Sequence, residues 1–215
     1  LKGTVKIPGS KSHTIRAVAI ASLAEGESII KFPLHSQDTL SAVNAYRSLG
    51  VDITTEENRW IVKGKGGVWD IPQDVIDVGN SGTTMCIILG SSALINEGMI
   101  VITGDTQVRK RPIGPLINSL NDLGANIIST RKNNLPPVVV QGKLRGGQTA
   151  LEAISSQYLS SLLINTPLAE NETTIDILLL NERPYVEMTL AWLKEHGIQV
   201  EYDDEFKKFR IPKNQ

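Results

Sequence analysis

The segment "TLSAVNAYRSLGVDI", residues 39–53, decides the fold because the chain repeats its pattern twice more. The counterparts are "PLINSLNDLGANI", residues 115–127, and "MTLAWLKEHGIQV", residues 188–200. In each segment apolar residues recur at helical spacing, and a glycine stands where the helix should end. The three glycines lie 74 and 73 residues apart. Such a fixed period predicts one structural unit that is used three times.

The sequence around these segments completes the unit. Two short strands joined by a polar turn follow each glycine and predict a hairpin. A strand, a small-residue turn, an almost wholly apolar helix and another strand precede it. The first strands are expected in "GTVKIP", "DVIDVG" and "TALEAI". We therefore predict an α/β fold of three βαβαββ repeats that form one globe, with buried helices in the middle and sheets outside. The repeats are expected at residues 3–67, 74–146 and 149–213.

Composition and charge narrow the classes of partner. Lysine and arginine number 22 and aspartate and glutamate 23, so no overall field draws the chain to nucleic acid or a membrane. The longest strongly apolar run, "MCIILGSSALI", is too short to span a bilayer, and no signal-peptide core is visible. The single cysteine forms no internal disulfide, which favours the cytoplasm. The three histidines lack metal-ligand spacing, so no metal is expected.

The start of the first apolar helix carries the clearest sign of a binding site. "GSKSHTIR" places Lys11 and Arg16 in the first turns after Ser10, together with Ser12. The helix dipole disfavours cations there by roughly 0.3–1 kcal/mol each, so a negative ligand is expected beside them. Serine hydroxyls cap such a helix, and arginine binds phosphate or carboxylate through two hydrogen bonds. The alternative is a pair of surface cations that extend from a helix end.

The other two apolar helices also begin with small polar residues. "GNSGTT", residues 79–84, contains Gly82, which would let a ligand approach the backbone amides. "SSQ" supplies Ser155, Ser156 and Gln157, whose side chains can cap the helix and bind oxygens of a phosphate or polyol. Ordinary capping explains either motif alone. If the three helices run side by side, however, their amino termini form one anion-binding floor.

Two loops repeat an arginine-proline pair. "TGDTQVRKRPIG", residues 103–114, contains Arg111, and "NERPY" repeats the pair as Arg183 followed by Tyr185. Three consecutive cations in the first loop are typical of a solvated turn, but they could also close over an anion. We expect Arg111 and Tyr185 to lie at the site.

These motifs together resemble a known family. "PGSKS" followed by Arg16, then "GNSGT", "RPIG", "SSQ" and "RPY", occur in the order found in the 5-enolpyruvylshikimate-3-phosphate synthases. The resemblance covers essentially all 215 residues but only the first of the two globes that family members contain. It implies one half of the enolpyruvyl transferase fold. The family reaction adds the 5-hydroxyl of shikimate 3-phosphate to phosphoenolpyruvate and eliminates phosphate, without a metal or cofactor.

The resemblance implies a role for each matching residue. The residues implied for shikimate 3-phosphate are Lys11, Ser12, Arg16, Ser155, Ser156, Gln157 and Tyr185. Those implied for phosphoenolpyruvate are Lys11, Asn80, Gly82, Arg111 and Gln157. Lys11 is the implied catalytic residue. The aspartate base and a further group of charged residues belong to the second globe, so we expect the isolated chain to bind anions without turnover. A chain that supplies the second half is the expected partner.

The chain departs from the family pattern in two places. Many relatives have a phosphate-binding serine at the position of Glu182, whose charge should repel phosphate unless Arg183 compensates. Many relatives have arginine after "GNSGTTM", where this chain has Cys86, which we expect to be a buried small hydrophobe. Because the family's first strand belongs to the other globe, Leu1 to Pro8 are expected to be loosely held.

Three other functions remain open from the sequence. A UDP-N-acetylglucosamine enolpyruvyl transferase has a similar repeat but usually carries a cysteine in the loop equivalent to residues 103–114, and this chain has none there. The chain could also be a non-catalytic phosphate-binding or interaction module that needs a partner chain. The third alternative is a repeat scaffold whose helix ends are merely well capped.

Overall fold

The computed structural model describes residues 2–5 and 7–215, which form helices, strands and two short 3-10 turns. The helices are α1 Lys11–Leu23, α2 Gln37–Ser48, α3 Gly82–Ser92, α4 Gly114–Asp122, α5 Ser156–Asn165 and α6 Arg183–Glu195. The strands are β1 Glu25–Lys31, β2 Asp52–Thr55, β3 Arg59–Lys65, β4 Ile76–Asp77, β5 Ile100–Thr103, β6 Asn126–Ser129, β7 Val138–Gln141, β8 Gly147–Ala153, β9 Thr173–Leu180, β10 Glu201–Tyr202 and β11 Lys208–Ile211. The 3-10 turns are Val108–Lys110 and Thr166–Leu168.

The strands form three separate sheets. Their orders are β1-β3-β2, β4-β5-β7-β6 and β8-β9-β11-β10. In each four-stranded sheet the first strand pairs in parallel with the strand that follows the apolar helix, as β4 does with β5 and β8 with β9. All other strand pairs are antiparallel. The parallel pairs require the helical crossover that α3 and α5 provide.

The first sheet lacks the strand that the sequence predicts in "GTVKIP", so that prediction is wrong for the residues described. Residues 3–5, 7 and 8 form no strand, and Lys6 lies outside the described residues. Val5 and Ile7 are 80% and 79% exposed. A strand needs a neighbouring strand to satisfy its backbone groups, and the described residues of this segment pair with none. The predicted strand in "DVIDVG" forms over only Ile76–Asp77.

The three glycines of the repeated segment end their helices as predicted. Gly50, Gly124 and Gly197 have φ values of 85°, 104° and 77°, which lie in the left-handed region that glycine adopts most easily. The amide after each glycine bonds to the carbonyl five residues earlier, at 3.1, 3.0 and 2.9 Å. This arrangement satisfies carbonyls at the helix end and turns the chain into the next strand.

The apolar helices α1, α3 and α5 pack against one another in the middle of the molecule, which confirms the prediction of buried helices. Every residue of α1 from Thr14 to Leu23 is buried. In contrast, α2, α4 and α6 each bury one face and expose the other. The three sheets and these outer helices surround the central bundle.

A buried polar network holds the middle of the bundle together. Ser91 Oγ on α3 donates to Asn165 Oδ1 at the end of α5 at 2.8 Å. The hydroxyl of Tyr46 on α2 lies 2.7 Å from Ser91 Oγ. Asn165 Nδ2 donates to the Ser161 carbonyl at 2.8 Å. Because buried polar groups are costly without partners, these bonds fix how α2, α3 and α5 pack.

Candidate functional site

The amino-terminal turns of several helices meet at one end of the central bundle. Lys11 Nζ at the start of α1 lies 3.7 Å from Asp38 Oδ1 at the start of α2. Thr84 Oγ1 in the first turn of α3 donates to the Asp38 carbonyl at 3.4 Å. Cys86 Sγ on α3 donates to Gln157 Oε1 in the first turn of α5 at 3.6 Å. These contacts link α1, α2, α3 and α5 near their amino termini.

Two further contacts join the start of α6 to the amino-terminal turns of α5 and α1. Ser156 Oγ at the start of α5 donates to Glu182 Oε2, just before α6, at 3.0 Å. Arg16 Nη2 on α1 donates to the Tyr185 carbonyl in the first turn of α6 at 3.2 Å. The structure therefore brings the amino ends of all three buried helices together, as the sequence predicts. Their unpaired amides and dipoles favour an anion at this end.

Arg16 is the most unusual cation of the site because it is only 1% exposed. Its Nε donates to Thr189 Oγ1 at 2.8 Å, and its Nη2 donates to Ser160 Oγ at 3.0 Å. No carboxylate of the described residues lies within ion-pair distance of it. Burial lowers the pKa of Arg16 to about 10, so it remains charged at neutral pH. A buried cation held only by neutral groups is suited to bind an anionic ligand.

Lys11 and Ser12 begin the same helix as Arg16. The Lys11 side chain is 48% exposed, and its contact with Asp38 is long for an ion pair. Exposed pairs of this kind are worth only about 0–1 kcal/mol, so a stronger anion can attract the ammonium away. The Ser12 carbonyl accepts from Arg16 Nη1 at 3.2 Å. Ser10 caps the helix by accepting from the His13 amide at 3.5 Å.

A pocket lies between α3 and α5, beside Arg111. It has a volume of about 200 Å³, and its lining includes Gly82, Cys86, Arg111, Ser155 and Gln157. The Arg111 guanidinium lies so close to Gly82 that a Cβ there would overlap it. Drug-sized ligands occupy pockets of roughly 300–1,000 Å³, so this pocket suits a smaller molecule. Arg111 is the one cation among the lining residues, and its charge favours an anion.

The loop that carries Arg111 is folded by Asp105. Asp105 Oδ2 accepts from Asn80 Nδ2 at 2.6 Å, and Oδ1 accepts from the amides of Gln107 and Val108 at 2.9 Å. The hydrogen bond from Asn80 is the main reason that the pKa of Asp105 is lowered. The Asn80 side chain thus joins the start of α3 to the Arg111 loop.

The residues of "SSQ" have three different partners. Ser155 Oγ accepts from the Gln157 amide at 3.4 Å and so caps α5. Ser156 Oγ donates to Glu182, and Gln157 Oε1 accepts from Cys86. Tyr185 uses its carbonyl for Arg16, while its side chain is partly exposed. Within the described residues, no hydrogen bond or ion pair joins Arg111 directly to the group around Arg16.

The whole chain, residues 1–215, matches the family model described as EPSP synthase (3-phosphoshikimate 1-carboxyvinyltransferase). The chain belongs to this family. The family resemblance read from the five sequence motifs is thereby confirmed, and so is the expectation of an enzyme family.

Curated EPSP synthase relatives are similar over nearly all of this chain. The 3-phosphoshikimate 1-carboxyvinyltransferase of Acetivibrio thermocellus is 53% identical over 97% of the chain and 49% of its own length. The enzyme of that name from Ruminiclostridium cellulolyticum is 47% identical over 100% of the chain and 50% of its own length. The chain therefore spans about half the length of the curated relatives it matches.

A solved EPSP synthase confirms the fold class. The structure of EPSP synthase from Acinetobacter baumannii has a TM-score of 0.87 and 28% identity to this chain. The alignment covers 99% of this chain and 47% of that one. The chain thus has the mixed α/β fold of one half of an enolpyruvyl transferase.

Several residues that contact the predicted site residues were not found from the sequence. Ser160 and Thr189 hold Arg16, and Asp38 contacts both Lys11 and Thr84. A hydroxyl within the apolar stretch of α5 was a visible signal for Ser160, because such helices seldom bury polar groups without partners. The capping sequence around Ser36 marked the start of α2, and thus the place of Asp38.

The described residues contain no group of three or more His, Cys, Asp or Glu side chains that could hold a metal ion. No helix among them combines the length and apolar character needed to cross a membrane.

Proposed function

We propose that this chain is the substrate-binding half of a transferase that moves the enolpyruvyl group of phosphoenolpyruvate to the 5-hydroxyl of shikimate 3-phosphate. The observation that carries the proposal is the position of Arg16 where the helix ends meet. It is a buried cation that has no carboxylate partner among the described residues. The name shared by the curated relatives supports the same reaction. A cytoplasmic location, expected from the single cysteine, belongs to this proposal.

Shikimate 3-phosphate would bind at the junction of α1, α5 and α6. Arg16 supplies a fixed positive charge there, and Ser156 supplies a hydroxyl at the positive end of the α5 dipole. The other groups in reach of the same junction can orient the ring and the phosphate. The full set is Lys11, Ser12, Arg16, Ser155, Ser156, Gln157 and Tyr185.

Phosphoenolpyruvate would bind in the smaller pocket beside Arg111. The Arg111 guanidinium lies against the backbone at Gly82, so an anion bound to Arg111 would lie beside the amides at the start of α3. Gln157 lines this pocket and also belongs to the first set, so the two ligands would be neighbours. The full set is Lys11, Asn80, Gly82, Arg111 and Gln157. Lys11 is the proposed catalytic residue because an ammonium between the ligands can stabilise charge that develops during the addition.

The proton-transfer groups would come from the second half of the enzyme. The addition must remove a proton from the 5-hydroxyl and deliver one to the methylene of phosphoenolpyruvate. The elimination must then take a proton from the resulting methyl group as phosphate leaves, so a positioned base and acid are required. We therefore expect this chain to bind its ligands but not to turn them over alone. A chain that supplies the other half is the proposed partner.

Calorimetric titration with shikimate 3-phosphate tests the binding proposal. We expect heat with the unaltered chain and affinity reduced by about tenfold or more in Lys11→Ala, because one charged contact is lost. Lys63→Ala is the matched control, since Lys63 is exposed on β3 and pairs with Asp52. Absence of heat with every protein would favour a scaffold with well-capped helices.

Mixing the chain with a separately expressed second half tests the enzymatic proposal. We expect enolpyruvyl transfer only in the mixture, measured as phosphate release that depends on both substrates. Binding without activity in a well-folded mixture would favour a non-catalytic module. Steady turnover by this chain alone would contradict the expected division of roles.

A further inference from the structure

The carboxylate of Glu182 is hydrogen-bonded to the Ser156 hydroxyl, which belongs to the proposed phosphate site. Ser156 Oγ donates to Glu182 Oε2 at 3.0 Å, and Ser156 is the first residue of α5. Ser156 is buried, and Glu182 is the acceptor of its hydroxyl among the described residues. The carboxylate therefore occupies the position that an oxygen of a bound phosphate would take on this serine.

The backbone at Glu182 shows that local capping does not explain this contact. Glu182 precedes α6 in the left-handed region, with φ 56° and ψ 42°, and its side chain makes no capping bond to that helix. Glycine and asparagine adopt this region more readily than glutamate does. Residues that cap a helix with their side chains do so from extended backbone angles, which Glu182 does not have. The Glu182 side chain instead crosses to the beginning of α5.

No neighbouring cation neutralises the Glu182 carboxylate. Arg183, the nearest cation in sequence, donates from Nε to Glu187 Oε1 at 2.9 Å. The Arg183 guanidinium carbon also lies 3.9 Å from the centre of the Phe206 ring. None of the described cations, Arg16 included, is within ion-pair distance of Glu182. The compensation by Arg183 that the sequence allowed is therefore absent.

We infer that Glu182 is a specificity-determining residue that competes with the phosphate group of the ligand for Ser156. This inference rests on the proposed function, because it requires a phosphate ester to bind at the start of α5. A phosphate that binds there must displace the carboxylate from Ser156. The displaced carboxylate remains negatively charged and close to the phosphate, which it repels. A ligand can offset that repulsion only through further contacts, such as a hydrogen bond from Arg16 to one of its oxygens.

Variants of Glu182 separate the effect of its charge from that of its shape. Glu182→Gln keeps the length of the side chain and an oxygen acceptor for Ser156 but removes the charge. Glu182→Ser removes the charge and also shortens the side chain. Glu195→Gln, on an exposed residue at the other end of α6, removes one charge from the same helix and serves as the matched control.

The experiment measures calorimetric affinity for shikimate 3-phosphate and for unphosphorylated shikimate with all four proteins. We expect both Glu182 variants to bind shikimate 3-phosphate about tenfold or more tightly than the unaltered chain, because a like charge near the phosphate is removed. Affinity for shikimate should change less than about twofold, and the control should match the unaltered chain. The gain should shrink at about 1 M salt, since salt screens charge repulsion.

The outcomes separate this inference from the proposed function. If the unaltered chain binds shikimate 3-phosphate and neither Glu182 variant binds it more tightly, Glu182 does not compete and the inference is wrong, while the proposed function stands. An equal gain for shikimate also overturns it, because the effect would not concern the phosphate. If none of the proteins binds shikimate 3-phosphate, the proposed function and the inference both fail.

Discussion

Arg16 on α1 and Thr189 on α6 are 173 positions apart in sequence, yet Arg16 Nε donates to Thr189 Oγ1 at 2.8 Å. Thr189 Oγ1 also donates to the Tyr185 carbonyl at 2.9 Å and lies 2.9 Å from Ser160 Oγ. The hydroxyls around Arg16 therefore have partners even without it. Under the proposed function, the charge of Arg16 therefore serves the ligand rather than the fold.

Replacement of Arg16 by methionine tests that distinction. Methionine fills much of the volume and removes a buried charge, and the surrounding hydroxyls can still bond to one another. We expect the free energy of unfolding in urea to change by less than about 1.5 kcal/mol, while binding of shikimate 3-phosphate is lost. Arg59→Met is the control, because Arg59 is exposed and pairs with Glu56. A loss of stability above about 3 kcal/mol with binding retained would show a structural role instead.

Cys86 should react slowly with thiol reagents in the folded chain. Burial raises the pKa of Cys86 to about 12, and the nearby charge of Arg111 opposes this rise only in part. At pH 8 the reactive thiolate is therefore scarce and shielded from the reagent. We expect alkylation by iodoacetamide to be at least about 100-fold slower in the folded chain than in denaturant, as measured by mass spectrometry. Equal rates would show that α3 opens readily.

The raised pKa of the Cys86 thiol also makes stability depend on pH in the alkaline range. Because the pKa of Cys86 is higher in the folded chain than the ordinary value of 9.0, the folded state holds the proton more tightly. Its contribution to stability is complete below pH 9 and is lost as the pH rises towards about 12. Between these pH values, the free energy of unfolding measured in urea should thus decline less steeply in Cys86→Ala than in the unaltered chain. Parallel declines in the two proteins would contradict the assignment.

Much of the fold can be predicted from the sequence because its signals are local. Helical spacing followed by a glycine predicted α2, α4 and α6 with their ends, and the glycines do adopt left-handed backbone angles. Uniformly apolar runs predicted the buried helices. The strand predicted in "GTVKIP" did not form over its described residues, because alternation in sequence does not supply a neighbouring strand and those residues have none.

The site could be predicted only in part. Residues at helix starts, such as Lys11 and Ser156, were found because a helix terminus has a recognisable sequence. Partners such as Asp38 and Thr189 were not, since they reach the site from other elements of the chain. The sequence identified Glu182 as a departure from the family pattern. It did not show that the carboxylate accepts from Ser156 or that Arg183 is engaged by Glu187.

Removal of the Asp105 carboxylate should loosen the loop that carries Arg111. Asp105→Ala deprives the Gln107 and Val108 amides and the Asn80 side chain of their acceptor. We expect faster hydrogen exchange over residues 105–111 and weaker binding of phosphoenolpyruvate, with the central helices unchanged. Asp74→Ala is the control, because Asp74 accepts only from the adjacent Val75 amide. Unchanged exchange in Asp105→Ala would mean that other contacts fix the loop.

Acid should affect this loop in the same way as the substitution. The pKa of Asp105 is lowered, chiefly by the hydrogen bond from Asn80, so its contribution to loop order is present above about pH 4. That contribution is lost as the pH falls through the lowered value. Amide signals of Gln107 and Val108 followed by NMR should move together in this acidic range. In Asp105→Ala the same signals should show no such transition.

The network around Asn165 should contribute more to stability than any one of its hydroxyls. Asn165→Ala removes the acceptor of Ser91 and the donor to the Ser161 carbonyl and leaves a cavity between α3 and α5, so we expect a loss of about 2–4 kcal/mol. Tyr46→Phe removes one hydroxyl and should lower stability by about 1 kcal/mol, since Ser91 keeps its bond to Asn165. Asn118→Ala, on the exposed face of α4, should change little.

Urea unfolding of the double variant then measures how the two residues are coupled. Because Ser91 contacts both Tyr46 and Asn165, their effects should not add, and the double variant should lose less than the sum of the single losses by about 0.5 kcal/mol or more. Strict additivity would mean that Ser91 transmits nothing between α2 and α5. In that case apolar packing alone would fix how the central helices meet, and the amino-terminal ends that form the site would be positioned by packing rather than by this network.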